Sequence, residues 1–174
     1  MDNVIIRMAT SADIDEIRNV ADVVFRKTYA SILNDAQMEY MLDWMYSAES
    51  LQSQINDRGR NFFVLLRDGA IIGYVSVDED GTTEQGRPLF HLQKIYVLPS
   101  FQGCGYGSKL FMHIMDFVRS QAPEGCRVEL NVNRNNVAVS FYEKMGMTRD
   151  RQGDFPIGGG FYMNDYIYAI DLAA

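Results

Sequence analysis

The stretch His91–Leu110, HLQKIYVLPSFQGCGYGSKL, admits few folds, because it changes from one kind of structure to another within a few residues. His91–Leu98 is apolar and β-branched and runs into Pro99, the pattern of a buried strand. Gln102–Ser108 then reads Q-G-C-G-Y-G-S and leads into Leu110, Phe111, Ile114, Met115, Phe117 and Val118, spaced as a helix face. A strand, a glycine-rich turn and a helix start together make a place for a phosphate. Glycine lets the backbone take positive φ and lets a ligand come close. The first-turn N–H groups of the helix point at the anion, with the helix dipole behind them.

Two familiar phosphate motifs do not fit. Gly103, Gly105 and Gly107 fall at every second residue, which is not G-x-G-x-x-G, and no G-K-[ST] follows for a P-loop. The residues spell Q-x-x-G-x-G, as Gln102, Gly105 and Gly107. Taken alone this is also compatible with a plain glycine-rich turn between strand and helix, so the rest of the chain has to decide.

Before the stretch, NVIIRMA (residues 3–9) reads as a first strand, and Thr10 with Asp13 forms an acidic capping box. Ile14, Ile17, Val20, Ala21 and Val24 then share a helix face that ends near Tyr29–Leu33. Asn34 or Asp35 caps a second helix with Met38, Met41, Leu42 and Met45 on its apolar side and Asp35, Glu39 and Asp43 on another. A short third helix is expected around Ser50–Asn56. Asn61–Arg67 and Ala70–Val77 form a hairpin about Asp68-Gly69, and Asp78–Pro88 reads as a polar loop or a longer hairpin returning into the central strand.

After the stretch, the glycine-loop helix runs Gly107–Gln121 and stops before Pro123. Cys126–Val132 alternates as a strand, and a helix from Asn135 or Asn136 carries Val137, Phe141 and Met145 to Gly146. Two strands, Met147–Gly153 and Phe161–Leu172, close the chain around FPIGGG. The order β-α-α-β-β-β-α-β-α-β-β predicts an α/β (α+β) fold of one domain over residues 1–174, with a mixed, mostly antiparallel sheet and helices on both faces.

Net charge is −7 with an isoelectric point near 4.8, which argues against a nucleic-acid partner. Cys104 and Cys126 give neither a disulfide framework nor a C-x-x-C metal pattern, and no histidine cluster suggests a metal. The amino-terminal MDNVIIRMAT, with Asp2, is neither a signal peptide nor a membrane span, so the expected compartment is the cytoplasm, away from any membrane.

Several segments together identify a family resemblance. Q-x-x-G-x-G after a strand resembles the acetyl-CoA motif of the GNAT superfamily of N-acetyltransferases. NRNNVAVSFYEKMGM, Asn133–Met147, resembles that family's N-x-x-A-x-x-F-Y-x-K-x-G-F segment through Asn135, Ala138, Phe141, Tyr142, Lys144 and Gly146, with Met147 in place of the last aromatic. IRMATSADIDEI is similar to the family's opening helix, and LQKIYVL and DAQMEYML look like the bacterial polyamine (spermidine/spermine-type) acetyltransferases.

The resemblance implies acetyl-CoA as cofactor and a small-molecule amine as acceptor. It implies that the backbone of Ile95, Tyr96 and Val97 bonds the pantetheine arm, although Ile95 and Val97 side chains also read as core. It sets the pyrophosphate on Gln102, Gly103, Cys104, Gly105, Tyr106, Gly107 and Ser108. Asn135 is a helix cap that also meets the pantetheine, and Lys144, otherwise a solvated lysine, reaches a cofactor phosphate.

Two side chains are catalytic candidates. Tyr142 stands where the family keeps a tyrosine beside the cofactor sulfur, and a phenol, pKa ~10, is a proton donor at neutral pH; one of ten tyrosines, it also reads as a core residue. His91, pKa ~6.5, suits the amine's general base. It stands eleven residues before Gln102, where some GNAT enzymes carry a glutamate, and period-two geometry aligns it with Gln93 and Ile95. A structural histidine, with water and acidic side chains as the base, is the competing reading. Cys104 at a helix start makes a covalent route conceivable, against its plainer role as a small turn residue.

The function expected is acetyl transfer to a primary amine by direct attack in a ternary complex. The alternatives are a protein N-terminal or lysine acetyltransferase and a CoA-binding module without turnover. Asp35, Glu39 and Asp43, and separately Asp78, Glu79, Asp80 and Glu84, are either solvated surface or an entrance that concentrates polycations. The oligomeric state, a homodimer among the options, is open.

Overall fold

The computed structural model describes residues 3–174, so Met1 and Asp2 of the amino-terminal segment lie outside it. Among the described residues, seven strands form one sheet in the order β1-β2-β3-β4-β5-β7-β6. They are β1 (Val4–Met8), β2 (Arg60–Arg67), β3 (Ala70–Thr82), β4 (Pro88–Val97), β5 (Gly125–Asn133), β6 (Thr148–Gly158) and β7 (Phe161–Ala173). Every neighbouring pair is antiparallel except β4 with β5. Helices α1 (Ile14–Tyr29), α2 (Asp35–Tyr46) and α3 (Ala48–Asn56) cover one face, and α4 (Tyr106–Gln121) and α5 (Ala138–Lys144) the other. The mixed, mostly antiparallel sheet with helices on both faces is the architecture expected from the sequence.

Local chemistry sets most element ends. Thr10 N–H donates to Asp13 Oδ2 at 2.8 Å, and a short 3-10 turn, Ser11–Asp13, precedes α1. Asn34 and Gln37 cap α2 reciprocally, at 2.8 and 2.9 Å. Asp68 (φ 51°) and Gly69 (φ 86°) both take positive φ in the β2–β3 turn, which matches the twist of the strands. Gly73 is required for a different reason: a Cβ there would lie 2.7 Å from the Tyr96 carbonyl oxygen.

Two boundaries differ from expectation, and a third was open between two readings. Of the loop and the longer hairpin expected after Val77, the structure has the hairpin, since β3 continues to Thr82 with Asp78 opposite His91 and Glu79 opposite Phe90. Ladder bonds to β4 outweigh the poor strand propensity of Asp and Gly. β6 continues through Phe155-Pro156-Ile157 to Gly158, because an edge strand tolerates a proline. Helix α5 starts at Ala138 rather than at an asparagine.

Two features of β4 create the site. Its ladder with β5 covers only Leu89–His91 against Arg127–Glu129; beyond it β4 follows β3 to Val97 while β5 follows β7. The two strands therefore part towards their carboxyl ends. The second feature is a bulge: Ser76 pairs with Lys94 but Val77 with Leu92, leaving Gln93 as an extra residue. Phe90 and Leu92 pack in the α4 core, and so do Ile95 and Val97 after the bulge, whereas Tyr96 packs towards α1. The expected alignment of His91 with Ile95 is thereby corrected, because the inserted residue shifts the alternation and sets them on opposite faces.

Candidate active site

The glycine loop follows β4 as a built cradle. Pro99–Phe101 forms one 3-10 turn, and Gln102 Nε2 donates back to the Val97 carbonyl at 3.0 Å. Gly103 and Gly105 have φ of 78° and 85°, with Gly105 capping α4 in the left-handed conformation. Lys109 N–H makes the bond to Gly105 O, so the N–H groups of Tyr106, Gly107 and Ser108 belong to the first turn and face outward. A Cβ added at Gly103 or Gly105 would meet nothing within 4 Å. Open approach to backbone donors at a helix start fits a pyrophosphate.

The loop forms one end of a cleft of about 720 Å³ that occupies the gap between β4 and β5. Of the residues expected at the cofactor, Ile95, Tyr96, Val97, Gln102, Gly103, Gly105, Tyr106, Gly107, Ser108, Tyr142 and Lys144 line it. Cys104 and Asn135 do not. Cys104 is exposed on the loop. Asn135 is exposed too, whereas the next residue, Asn136, is 9% exposed, lines the cleft, and accepts the Ala138 N–H at 2.9 Å through Oδ1. Of the two adjacent asparagines, the turn buries Asn136 and leaves Asn135 in solvent.

Tyr142 sits in the cleft wall, 8% exposed, with its ring 5.4 Å from that of Phe141. Burial raises its pKa, and the neighbouring Tyr29 phenol adds to this, so the hydroxyl keeps its proton at neutral pH. A protonated phenol facing a cleft can give a proton or a hydrogen bond to a leaving anion.

His91 is not brought into the cleft. It lies where β4 and β5 still pair, with Asp78 opposite on β3 and Glu129 on β5. Glu129 is held by Arg127 and Arg151, each at 2.9 Å. Burial lowers the His91 pKa, against the pull of Asp80, Glu129 and Asp78. The bulge at Gln93 and the closed ladder separate His91 from Ile95–Val97, so its surroundings are those of a histidine in a polar sheet layer.

The cleft also contains residues that the sequence did not single out. Tyr29, at the end of α1, meets Tyr96 hydroxyl to hydroxyl at 3.2 Å, and both line the cleft. Its only signal in the sequence was a polar tip four residues after Phe25 on an apolar helix face. Lys94 is 7% exposed; its Nζ donates to Gln54 Oε1 at 2.6 Å and lies over the Tyr46 ring. Burial lowers its pKa to about 8. A charged residue inside the run Leu92–Val97 was the signal there. Tyr74 donates to Tyr46 at 2.7 Å deeper in the same core.

Comparison with known proteins agrees with this geometry. The sequence model of the acetyltransferase (GNAT) family matches residues 24–147. An uncharacterized N-acetyltransferase of Lactobacillus delbrueckii subsp. lactis is 26% identical over 163 residues, covering 91% of this chain and 92% of that protein. Spermidine N(1)-acetyltransferase of Thermoplasma acidophilum is 23% identical over 145 residues, 81% of this chain and 86% of that one. Among solved structures, the PaiA N-acetyltransferase of Thermoplasma acidophilum in complex with coenzyme A superposes with a TM-score of 0.79 at 23% identity, over 96% of this chain and 98% of that chain. With the family's sequence model matching more than half of the chain, the chain belongs to the acetyltransferase (GNAT) family and is an acetyl-CoA-dependent N-acetyltransferase.

Proposed function

We propose that this protein, one domain acting in the cytoplasm, acetylates the primary amine of a small molecule, polyamines among them, by direct attack within one ternary complex. The observation that carries the reading is the single cleft shared by the glycine cradle, the free carboxyl half of β4 and the Tyr142 hydroxyl. Acetyl-CoA supplies the activated acetyl thioester. The N–H groups of Tyr106, Gly107 and Ser108 hold its pyrophosphate, and the backbone of Ile95–Val97 aligns the pantetheine as an added strand. The same strand's N–H groups stabilise the developing oxyanion. Tyr142 supplies a proton to the departing sulfur.

The acceptor reading draws on charge. A second cleft, about 620 Å³, lies between α1 and α2 and is lined by Asp15, Asp22, Glu39 and Asp43 together with Arg18 and Arg26. Arg26 already pairs with Glu39 at 2.7 Å, so part of that acidic face is internally compensated. Asp78, of the other acidic group, faces Arg60 at 3.5 Å and is half-buried, which leaves Glu79, Asp80 and Glu84 as its exposed members. The surplus of carboxylates favours a polycation, as does the likeness to a spermidine acetyltransferase.

Thiol release from acetyl-CoA is the test, with spermidine, tyramine, aniline and a glycyl peptide as acceptors. Release with spermidine or tyramine supports the small-amine reading. Release with the peptide alone turns it towards protein acetylation. Tight CoA binding without release reduces the chain to a binding module.

A further inference from the structure

β7 turns Met163, Asp165 and Ile167 to one side, all buried. Met163 packs in the α1–α3 core, so Asp165 faces that side of the sheet. Asp165 is 6% exposed. Its Oδ2 accepts from Asn131 Nδ2 at 3.3 Å, a long and therefore weak bond, and its buried Oδ1 has no hydrogen-bond partner among the described residues. A buried carboxylate ordinarily has a bound cation or several donors. Here the neighbouring cation, Arg134, donates instead to Asp154 at 2.7 Å.

The position of this under-satisfied acid gives it a use. Asn131 lines the cleft between β4 and β5, and so does Tyr29, whose titration feels Asp165. Tyr29 in turn acts on Tyr142. Asp165 therefore stands one side chain behind the wall of the cleft that contains the acid. The groups acting on it are Asn131 from β5, Arg134 from the β5–α5 loop and Tyr29 from α1. Burial pushes its carboxyl up, while Asn131 and Arg134 pull it down.

We infer that Asp165 receives the acceptor's ammonium and takes its proton, an assignment that rests on the acetyl-transfer reading above. The ammonium displaces the weakly held Asn131 amide from Oδ2, and one N–H proton passes to the carboxylate. The freed lone pair forms the N–C bond to the acetyl carbonyl carbon. The C–S bond breaks, and sulfur takes the Tyr142 proton. The second N–H proton restores Tyr142, and the proton on Asp165 leaves to solvent. Acceptors that are cationic at neutral pH need this carboxylate; an amine that is already neutral does not.

The experiment compares wild type with Asp165→Asn on the fastest alkylamine of the panel and on aniline, which is neutral at pH 7. The expected kcat/KM loss at pH 7 is about 100-fold for the alkylamine and within about threefold for aniline. Raising the pH should restore the alkylamine rate as the amine loses its own proton. CoA affinity by calorimetry should be unchanged. Carbon-13 titration of aspartate-labelled wild type, with Asp165 assigned by difference, should place its midpoint above those of the exposed aspartates. Equal loss on both amines, no loss on either, or a midpoint at or below the exposed aspartates overturns the assignment. If Asp165→Asn does not fold, Asp165→Glu carries the test: its alkylamine profile should shift along the pH axis while aniline's stays in place, and a uniform loss overturns it. Wild type that turns over no amine fails the acetyl-transfer reading itself, a result distinct from a normal wild type with a normal variant.

Discussion

Replacing Tyr142 by phenylalanine isolates one hydroxyl at the centre of the cleft. The ring stays, and with it the packing on Phe141 at 5.4 Å and the place in the α4 core. Stability should change by no more than about 1 kcal/mol, the usual worth of one hydrogen-bonding group. The catalytic loss is larger. A hydroxyl that only hydrogen-bonds to a departing thiolate is worth about 1.5–3 kcal/mol, or about 10- to 150-fold. Full proton transfer extends this to about 1000-fold. The expected fall in kcat is therefore about 10- to 1000-fold, with CoA affinity unchanged.

The pH dependence sharpens this prediction. Burial, with Tyr29, raises the Tyr142 pKa above the ordinary phenol value, so the proton-bearing form persists throughout pH 6–9. Wild type and variant should then show parallel profiles over that range, displaced vertically. Thiol release under saturating amine gives kcat, single-turnover mixing reports the chemical step, and calorimetry gives the CoA affinity. A variant with a wild-type single-turnover rate would refute the role of Tyr142, and so would a loss of rate matched by a loss of CoA binding.

Gly107→Glu places bulk and negative charge in the first turn of α4 without a positive φ to strain, its Cβ meeting only the Phe141 ring at 3.6 Å; CoA binding by calorimetry should be lost with the fold intact, and unchanged affinity would move the pyrophosphate elsewhere. Cys104 is exposed and Cys126 buried, so iodoacetamide followed by mass spectrometry should label Cys104 alone, and CoA should slow that labelling. Lys94, with its pKa lowered from 10.5 to about 8, binds fewer protons folded than unfolded between those values. Native stability should rise from pH 8 to pH 10, by at most about 1.4 kcal/mol per pH unit from this group, and Lys94→Met should flatten the rise in urea titrations. Glu39→Gln with Asp43→Asn should raise KM for spermidine more than for aniline and less so in added salt; equal effects on both would return these residues to plain surface.

The local parts of this protein were legible in its sequence. The turn Gln102–Ser108 is contiguous, Gly103 and Gly105 report the positive φ they adopt, and its donors are backbone N–H groups that any helix start provides. Caps such as Asn34 with Gln37 act over three residues, and the apolar periods of α1 and α4 appear directly as spacing. Tyr142 was found through a motif, and the structure brings it to the same cleft as the glycine loop.

What the tertiary structure alone decided is long-range. The bulge at Gln93 exists because two strands differ by one residue in length between fixed pairs, and no property of Gln93 itself announces it. That single residue separates His91 from Ile95 and turns Lys94 into the α1–α3 core. The gap between β4 and β5 arises because each strand finds a better partner on its other side, a competition between segments far apart in the chain. Asn136 rather than Asn135, Tyr29 against Tyr96, and Asp165 behind Asn131 are all consequences of that packing. Sequence spacing carries such information only within one helix or strand, and these contacts join residues that share neither.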